Sequence, residues 1–171
     1  WLLNKMSSSD EITNVRHWPV SLEQAVRLYP SHVARYHFAH PFCKDKQVCD
    51  IGCGAGYGSS YLSEYAARVL AMDISTEAVD WAKEYFKREN LSFMSADCTK
   101  DWGIDDKFDV ITTFEAMEHV EDPEKFLDSI RSHLSASGIL VLSVPNGPRD
   151  KAKTNNPYHL HHFSSSDLES L

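Results

Sequence analysis

The chain lacks the features that would place it in several large classes of protein. Nowhere do about 18 apolar residues follow one another, so no segment reads as a membrane-spanning helix. The opening Trp1-Leu2-Leu3-Asn4-Lys5-Met6 is too short for a signal-peptide core, and a cytoplasmic protein that does not insert into membrane is expected. Trp rather than Met stands first, which leaves the native start open. Cysteine is sparse: Cys43, Cys49, Cys53 and Cys98 show no paired Cys-x-x-Cys spacing, which argues against a zinc ribbon or a disulfide framework and for reduced thiols. Basic residues are outnumbered, 17 Lys and Arg against 25 Asp and Glu, for a net charge of −8. Such a surface repels polyanions, and the densest basic stretch, Arg149 to Lys153, is short, so nucleic acid is a disfavoured partner. Internal repeats and low-complexity tracts are also missing. What remains is 171 residues, 42% of them hydrophobic, enough for one buried core and no second domain.

The pattern along the chain divides at about residue 45. Residues 1–45 read as a helical preface: Ser21-Leu22-Glu23-Gln24 is a capping box, and Ser31 to His40 forms a helix bounded by Pro30 and Pro41. Residues 46–171 alternate short apolar runs with helical segments. The runs are Val48 to Ile51, Val69 to Met72, Leu91 to Met94, Phe108 to Phe114 and Ile139 to Val144, the last released by Gly138. Between them lie helices over Ser59 to Ala67, after Ser75 with Ala78, Val79, Ala82, Tyr85 and Phe86 inward, and after Pro123 with Phe126, Leu127, Ile130 and Leu134 inward. A polar loop, Pro145 to Pro157, follows, and Ser164-Ser165-Ser166-Asp167 opens a final helix. Strands that are apolar throughout and separated by helices indicate an α/β domain, a doubly wound and mostly parallel sheet covered on both faces. Ligands of such sheets bind beyond the carboxyl ends of the strands, which directs attention to Gly52 to Gly56, Asp73, Asp97 and Glu115 to His119.

Gly52, Gly54 and Gly56 spell Gly-x-Gly-x-Gly, with Tyr57 where a dinucleotide fingerprint needs glycine, and this argues against a nicotinamide or flavin. Backbone can approach a ligand closely at such a loop and aim amides at a carboxylate or phosphate. Asp73 ends the second run, where a carboxylate can accept from both hydroxyls of a ribose. Asp97 ends the third, placed to accept from an adenine amino group. Each acid alone could be an ordinary cap or loop residue; three such features on consecutive strand ends point to one adenosine-containing ligand.

The segment Val48-Cys49-Asp50-Ile51-Gly52-Cys53-Gly54-Ala55-Gly56-Tyr57-Gly58 resembles the first motif of class I S-adenosylmethionine-dependent methyltransferases. The resemblance implies the Rossmann-like fold of that family, with S-adenosylmethionine held by the loop from Asp50 through Cys53 to Gly56. Asp73 would take the ribose, Ile74 the adenine face, and Asp97 with Cys98 the adenine edge. Asp50, Gly52 and Gly54 would line the methionine portion, with Tyr57 against the sulfonium arm, where an aromatic face favours positive charge. It also implies a helix and two more strands after the fifth, one antiparallel; this sequence stops at the first turn of that helix.

Methyl transfer from a sulfonium is a direct displacement, so a hydroxyl acceptor needs a base or a cation to remove its proton. After the fourth run stand Glu115, Glu118 and His119, spaced so that one helical turn would gather them on one side. They could hold Mg²⁺ or another divalent cation, or His119 with Glu118 could act as the catalytic pair without one; equally, they could be solvated surface groups. The Glu-x-x-Glu-His spacing is similar to that of ubiquinone-biosynthesis O-methyltransferases and of small-RNA ribose 2′-O-methyltransferases, where a metal at these positions accompanies O-methylation. Downstream, Asn156 to Phe163 resembles a segment of bacterial relatives found with glycan-building enzymes; His161 or His159 could complete the metal site, and His162 beside Phe163 reads as structural. The resulting expectation is an enzyme that O-methylates a small molecule or glycan. Alternatives are an RNA ribose 2′-O-methyltransferase using a divalent metal, which would need a basic face, and a non-catalytic module that binds S-adenosylmethionine.

Overall fold

A computed structural model of the chain describes residues 18–147, 156 and 158–171. The opening hexapeptide, the basic stretch Arg149 to Lys153 and much of the expected loop after Pro145 lie outside the described residues. Helices α1 (Leu22–Leu28) and α2 (Pro30–Cys43) precede strand β1 (Gln47–Ile51). Then follow α3 (Tyr57–Leu62), β2 (Arg68–Asp73), α4 (Thr76–Tyr85), β3 (Leu91–Ser95) and β4 (Phe108–Phe114). A single 3₁₀ turn (Met117–His119), α5 (Pro123–His133), β5 (Leu134–Ser143) and α6 (Ser165–Glu169) complete the order. No helix among the described residues is long and apolar enough to cross a membrane.

The five strands form one sheet in the order β3-β2-β1-β4-β5, and every adjacent pair is parallel. The chain winds outward from β1 in one direction through β2 and β3, then returns to the other side of β1 with β4. That reversal opens a crevice beyond the carboxyl ends of β1 and β4, the place where ligands bind in open α/β sheets. Alternate side chains of each strand go to opposite faces. On one face Val48, Val69, Val110 and Val141 pack against Tyr36, Ala39 and Cys43 of α2 and Tyr61 and Leu62 of α3. On the other, Cys49, Ile51, Leu70, Met72 and Ile111 meet Phe126 and Ile130 of α5 together with Trp102 and Phe163. Each fully buried side chain of this size contributes about 1.5–3 kcal/mol, so both layers are needed.

Caps fall where the sequence places them. Ser21 accepts from the Gln24 amide, Ser75 from Ala78, and Asp122 from Lys125 with Pro123 in the first turn. The Gln24 side chain reaches back to the Val20 amide at 3.0 Å, one residue before the cap position a capping box uses.

Four details depart from the periodicity reading. Helix α2 passes through Pro41 to Cys43: the carbonyl of His37, which Pro41 cannot serve, accepts instead from the His40 imidazole at 2.8 Å. Helix α3 stops at Leu62 instead of Ala67, because the following amides close tighter bonds, Glu64 to Tyr61 and Tyr65 to Leu62. Strand β5 starts at Leu134, and Gly138 lies inside it at a register shift, where a Cβ would come within 2.8 Å of the Phe108 carbonyl. Tyr85 faces outward and stacks on Trp81, 4.3 Å between ring centroids, while Ala78, Val79, Ala82 and Phe86 are buried as the spacing predicts.

Candidate active site

Strand β1 leaves the sheet into a backbone that turns left-handed at three glycines, with φ of 74° at Gly52, 51° at Gly54 and 83° at Gly56. The amides of Gly52 and Cys53 are tied to the Met72 carbonyl, 2.8 and 3.0 Å away, so the loop rides on β2. Gly54 and Gly56 do different jobs. A Cβ on Gly56 would lie 2.6 Å from the Ala82 Cβ and 2.8 Å from the Phe93 ring, so that glycine lets the loop pack onto α4. A Cβ on Gly54 would meet nothing within 4 Å: this stretch of backbone faces open space, as a ligand cradle requires.

Asp73, at the end of β2, faces the same space. Its Oδ2 accepts from the Gly54 amide and its Oδ1 from the Ser75 amide, both at 2.8 Å. The two bonds fix the carboxylate plane and leave each oxygen a lone pair to spare. Next to it Ile74 is 65% exposed, a large apolar side chain left uncovered at the rim of the crevice.

Asp50 takes a different place from the one expected. Its side chain is fully buried, and its oxygens accept from Ser59 (2.6 Å), Thr112 (2.7 Å) and Tyr36 (3.2 Å). Burial pushes the carboxyl up to about 6 while the three hydroxyls hold it down against that rise. The carboxylate binds α2, α3 and β4 to β1 beneath the loop and does not reach the crevice, so the correction is from ligand contact to foundation. Nor do the thiols of Cys53 and Cys98 face a ligand: both are buried in the apolar clusters, and burial raises each above the ordinary thiol range, Cys98 to about 12. Asp97 turns back on its own loop, accepting from the Thr99 amide (3.1 Å) and hydroxyl (2.6 Å) and pairing with Lys100 at 2.8 Å. The bonds from Lys100 and Thr99 hold its carboxyl down to about 2. Tyr57 packs parallel to Tyr29 (6.4 Å between centroids) and edge-on to Tyr36 (6.1 Å), making an aromatic wall.

The end of β4 supplies the second half. Glu115 has a left-handed backbone, φ 53°, and its amide donates to the Ser143 carbonyl at 2.9 Å. This bend breaks the single helical turn that the spacing suggests, so Glu115 separates from Glu118 and His119. Its carboxylate instead accepts from the Ser143 hydroxyl (2.9 Å) and pairs with Arg35 of α2 (3.0 Å). Glu118 points inward, its side chain 1% exposed and both oxygens without a hydrogen-bond partner. Burial drives its carboxyl up to about 7. His119 Nε2 lies 3.9 Å from Glu118, and its Nδ1 is 2.9 Å from the Tyr158 carbonyl. A carbonyl only accepts, so Nδ1 carries the proton and a neutral ring leaves Nε2 bare. Among the described residues, the group able to hold a metal is Glu118, His119 and His159, with one ligand atom of each within 4.8 Å of the others. Of the two histidines the sequence offers, His159 and not His161 joins the set, and Glu115 is outside it.

The model of a family described as a methyltransferase domain matches residues 21–171. The chain belongs to the class I S-adenosylmethionine-dependent methyltransferases. A Mycobacterium tuberculosis protein named "Probable S-adenosylmethionine-dependent methyltransferase" is 29% identical over 143 residues, 82% of this chain and 52% of that protein. A ubiquinone biosynthesis O-methyltransferase of Coxiella burnetii is 33% identical over 108 residues, 60% of this chain and 45% of its own length. The methyltransferase chain therefore spans about half the length of the curated relatives it matches. The crystal structure of YcgJ from Bacillus subtilis superposes with a TM-score of 0.71 at 22% identity, covering 80% of this chain and 65% of that one, which shows the shared fold.

Two parts of this methyltransferase site escaped the sequence reading. The hydroxyl cage of Asp50 had a signal in Thr112, a polar residue in an apolar strand and directly opposite Asp50 in register. Arg35, lying on a helix in the preface, had none. A cleft of about 460 Å³ lined by Ala67, Arg68, Glu89, Asn90, Leu91 and Ser92 is at the amino-terminal ends of β2 and β3, the wrong end of the sheet for this chemistry.

Proposed function

We propose that the chain catalyses methyl transfer from S-adenosylmethionine to a hydroxyl of a small molecule or glycan, assisted by a divalent cation. The observation that carries the cofactor reading is the fixed Asp73 carboxylate, one lone pair on each oxygen directed past a Gly54 backbone with open space beside it. Two adjacent ribose hydroxyls match two such acceptors. Ile74 then covers the adenine, the Asp97–Cys98 backbone borders its edge, and Gly52 and Gly54 lie along the methionine portion, with Tyr57 in the wall beside it. S-adenosylmethionine supplies a methyl group on a positively charged sulfur, already activated for displacement. The remaining work of the protein is to hold an acceptor oxygen in line and to take its proton.

The donor set of Glu118, His119 and His159 fits a cation. A buried carboxylate with no partner is costly unless something positive meets it, and two imidazoles with one carboxylate suit Mn²⁺ or Zn²⁺ better than the oxygen-seeking Mg²⁺. A cation there would lower the pKa of an acceptor hydroxyl; without a cation the bare His119 Nε2 would itself be the base, because one lone pair cannot serve both. The names of the curated ubiquinone biosynthesis relatives support oxygen as the acceptor atom. Net charge −8 supports an uncharged or cationic small acceptor over RNA.

Calorimetric titration with S-adenosylmethionine, S-adenosylhomocysteine and NAD tests the cofactor: the first two bind and NAD does not, whereas binding of NAD alone would overturn the reading. His119→Ala is expected to keep cofactor affinity and lose turnover on a panel of phenols, catechols and sugars. Unchanged turnover would remove His119 from the mechanism.

A further inference from the structure

We infer that His162 is a positioning residue, holding the His159 ring in the tautomer that offers a bare Nε2 to the cation site. This rests on the metal reading above and goes one layer beyond it. The segment that carries both histidines is strapped at two ends. The amides of Leu160 and His161 both donate to the Glu118 carbonyl, at 2.8 and 3.2 Å, which lays the segment against the 3₁₀ turn. Phe163, 1% exposed in the core, donates its amide to Pro145 and accepts from Gly147. Between these anchors His162 is buried, its Nε2 3.1 Å from His159 Nδ1. Gly147 makes room for it: a Cβ there would lie 3.1 Å from His162 Nδ1.

A neutral imidazole has one N–H and one bare nitrogen, and a metal takes only the bare one. His119 meets this requirement through the Tyr158 carbonyl, which accepts from Nδ1 and leaves Nε2 toward Glu118. His159 meets it in the same manner, with an imidazole in place of the carbonyl. In the inferred arrangement its Nδ1–H donates across the 3.1 Å contact to His162 Nε2, and His162 carries its own hydrogen on Nδ1. Both ring ligands are therefore backed through Nδ1, and backing of this kind fixes ring orientation and raises ligand basicity. His162 is buried, in keeping with the structural reading of the sequence, and the inferred role is exerted through His159.

The test pairs a spectrum with a titration. In a histidine ¹⁵N–¹H correlation spectrum of the metal-free parent at mildly alkaline pH, His159 is expected as the Nδ1–H tautomer; finding it as Nε2–H would overturn the inference without any substitution. Mn²⁺ binding, followed by electron paramagnetic resonance, is expected to weaken about 10- to 100-fold in His162→Phe. His162→Gln, whose side-chain carbonyl can accept from Nδ1, should recover most of it. S-adenosylmethionine affinity and Tm report folding and should stay near the parent's in both variants. If the parent binds Mn²⁺, His119→Ala does not, and His162→Phe binds as the parent does, the metal reading stands and the His162 role falls. If the parent takes up no Mn²⁺ at all, both fall.

Discussion

Replacing Glu118 by Gln should make the protein more stable at alkaline pH while impairing its site. Burial raises the Glu118 carboxyl from 4.5 to about 7. The folded state therefore holds that proton more tightly than the unfolded chain does, and the group costs stability progressively as pH climbs from 4.5 through 7. At 1.36 kcal/mol per unit, the full penalty above pH 7 is about 3 kcal/mol, and only a fraction of it is present at pH 5. Gln has nearly the same shape and no charge to desolvate. For a domain of this size about 1 kcal/mol moves Tm by roughly 2–4 °C, so the variant should gain about 5–10 °C on the parent between pH 5 and pH 8. Differential scanning calorimetry across that range reads the gain directly. Mn²⁺ should reverse the order at pH 8, raising Tm of the parent and leaving the variant unmoved. A Tm difference that stays constant with pH would refute the argument that Glu118 is a buried, unpaired carboxylate.

The two glycines that flank Tyr57's neighbourhood give opposite outcomes. Gly58→Ala places a Cβ 2.0 Å from the Tyr36 ring, and urea denaturation should show a loss of about 3 kcal/mol or more from overpacking. Gly54→Ala meets no neighbour and costs only the strain of a left-handed residue, about 1–2 kcal/mol, yet calorimetry should find S-adenosylmethionine binding abolished because the methyl fills the cradle. Thr112→Val removes a 2.7 Å hydroxyl bond to the buried Asp50 carboxylate. It should cost about 1.5–3 kcal/mol at pH 8 and less at pH 5, where a carboxyl with its pKa near 6 has taken up its proton; equal losses at both pH values would contradict the ionised cage.

The sheet was legible because its signals are local. The inner strands β1, β2 and β4 are largely buried and read as apolar runs, each ending where Gly, Asp or Glu marks the carboxyl edge. The glycine loop and Asp73 could be placed from that alone, while Ile74 is singled out through the family resemblance. What could not be read depends on backbone bends and on partners far along the chain. The spacing of Glu115, Glu118 and His119 suggests one helical face, but the left-handed Glu115 and its amide bond to Ser143 send the first carboxylate toward Arg35 instead. Asp50 stands in the first apolar run and the family resemblance would set it along the methionine portion; only the register of β4 with β1 and the approach of α2 reveal three hydroxyls closed around it. That His159 and not His161 joins Glu118 and His119 depends on how the Leu160 and His161 amides lay the segment on the Glu118 carbonyl, a long-range contact that leaves no mark in composition or spacing.

The central claim is that the Asp73 carboxylate, fixed by the Gly54 and Ser75 amides, holds the two ribose hydroxyls of S-adenosylmethionine. Hydrogen bonds to a charged group contribute about 1.5–3 kcal/mol each, so isothermal titration of Asp73→Ala should show affinity for S-adenosylmethionine reduced about 100-fold or more, in a protein whose Tm shows that it remains folded. Binding as tight as the parent's would contradict the account.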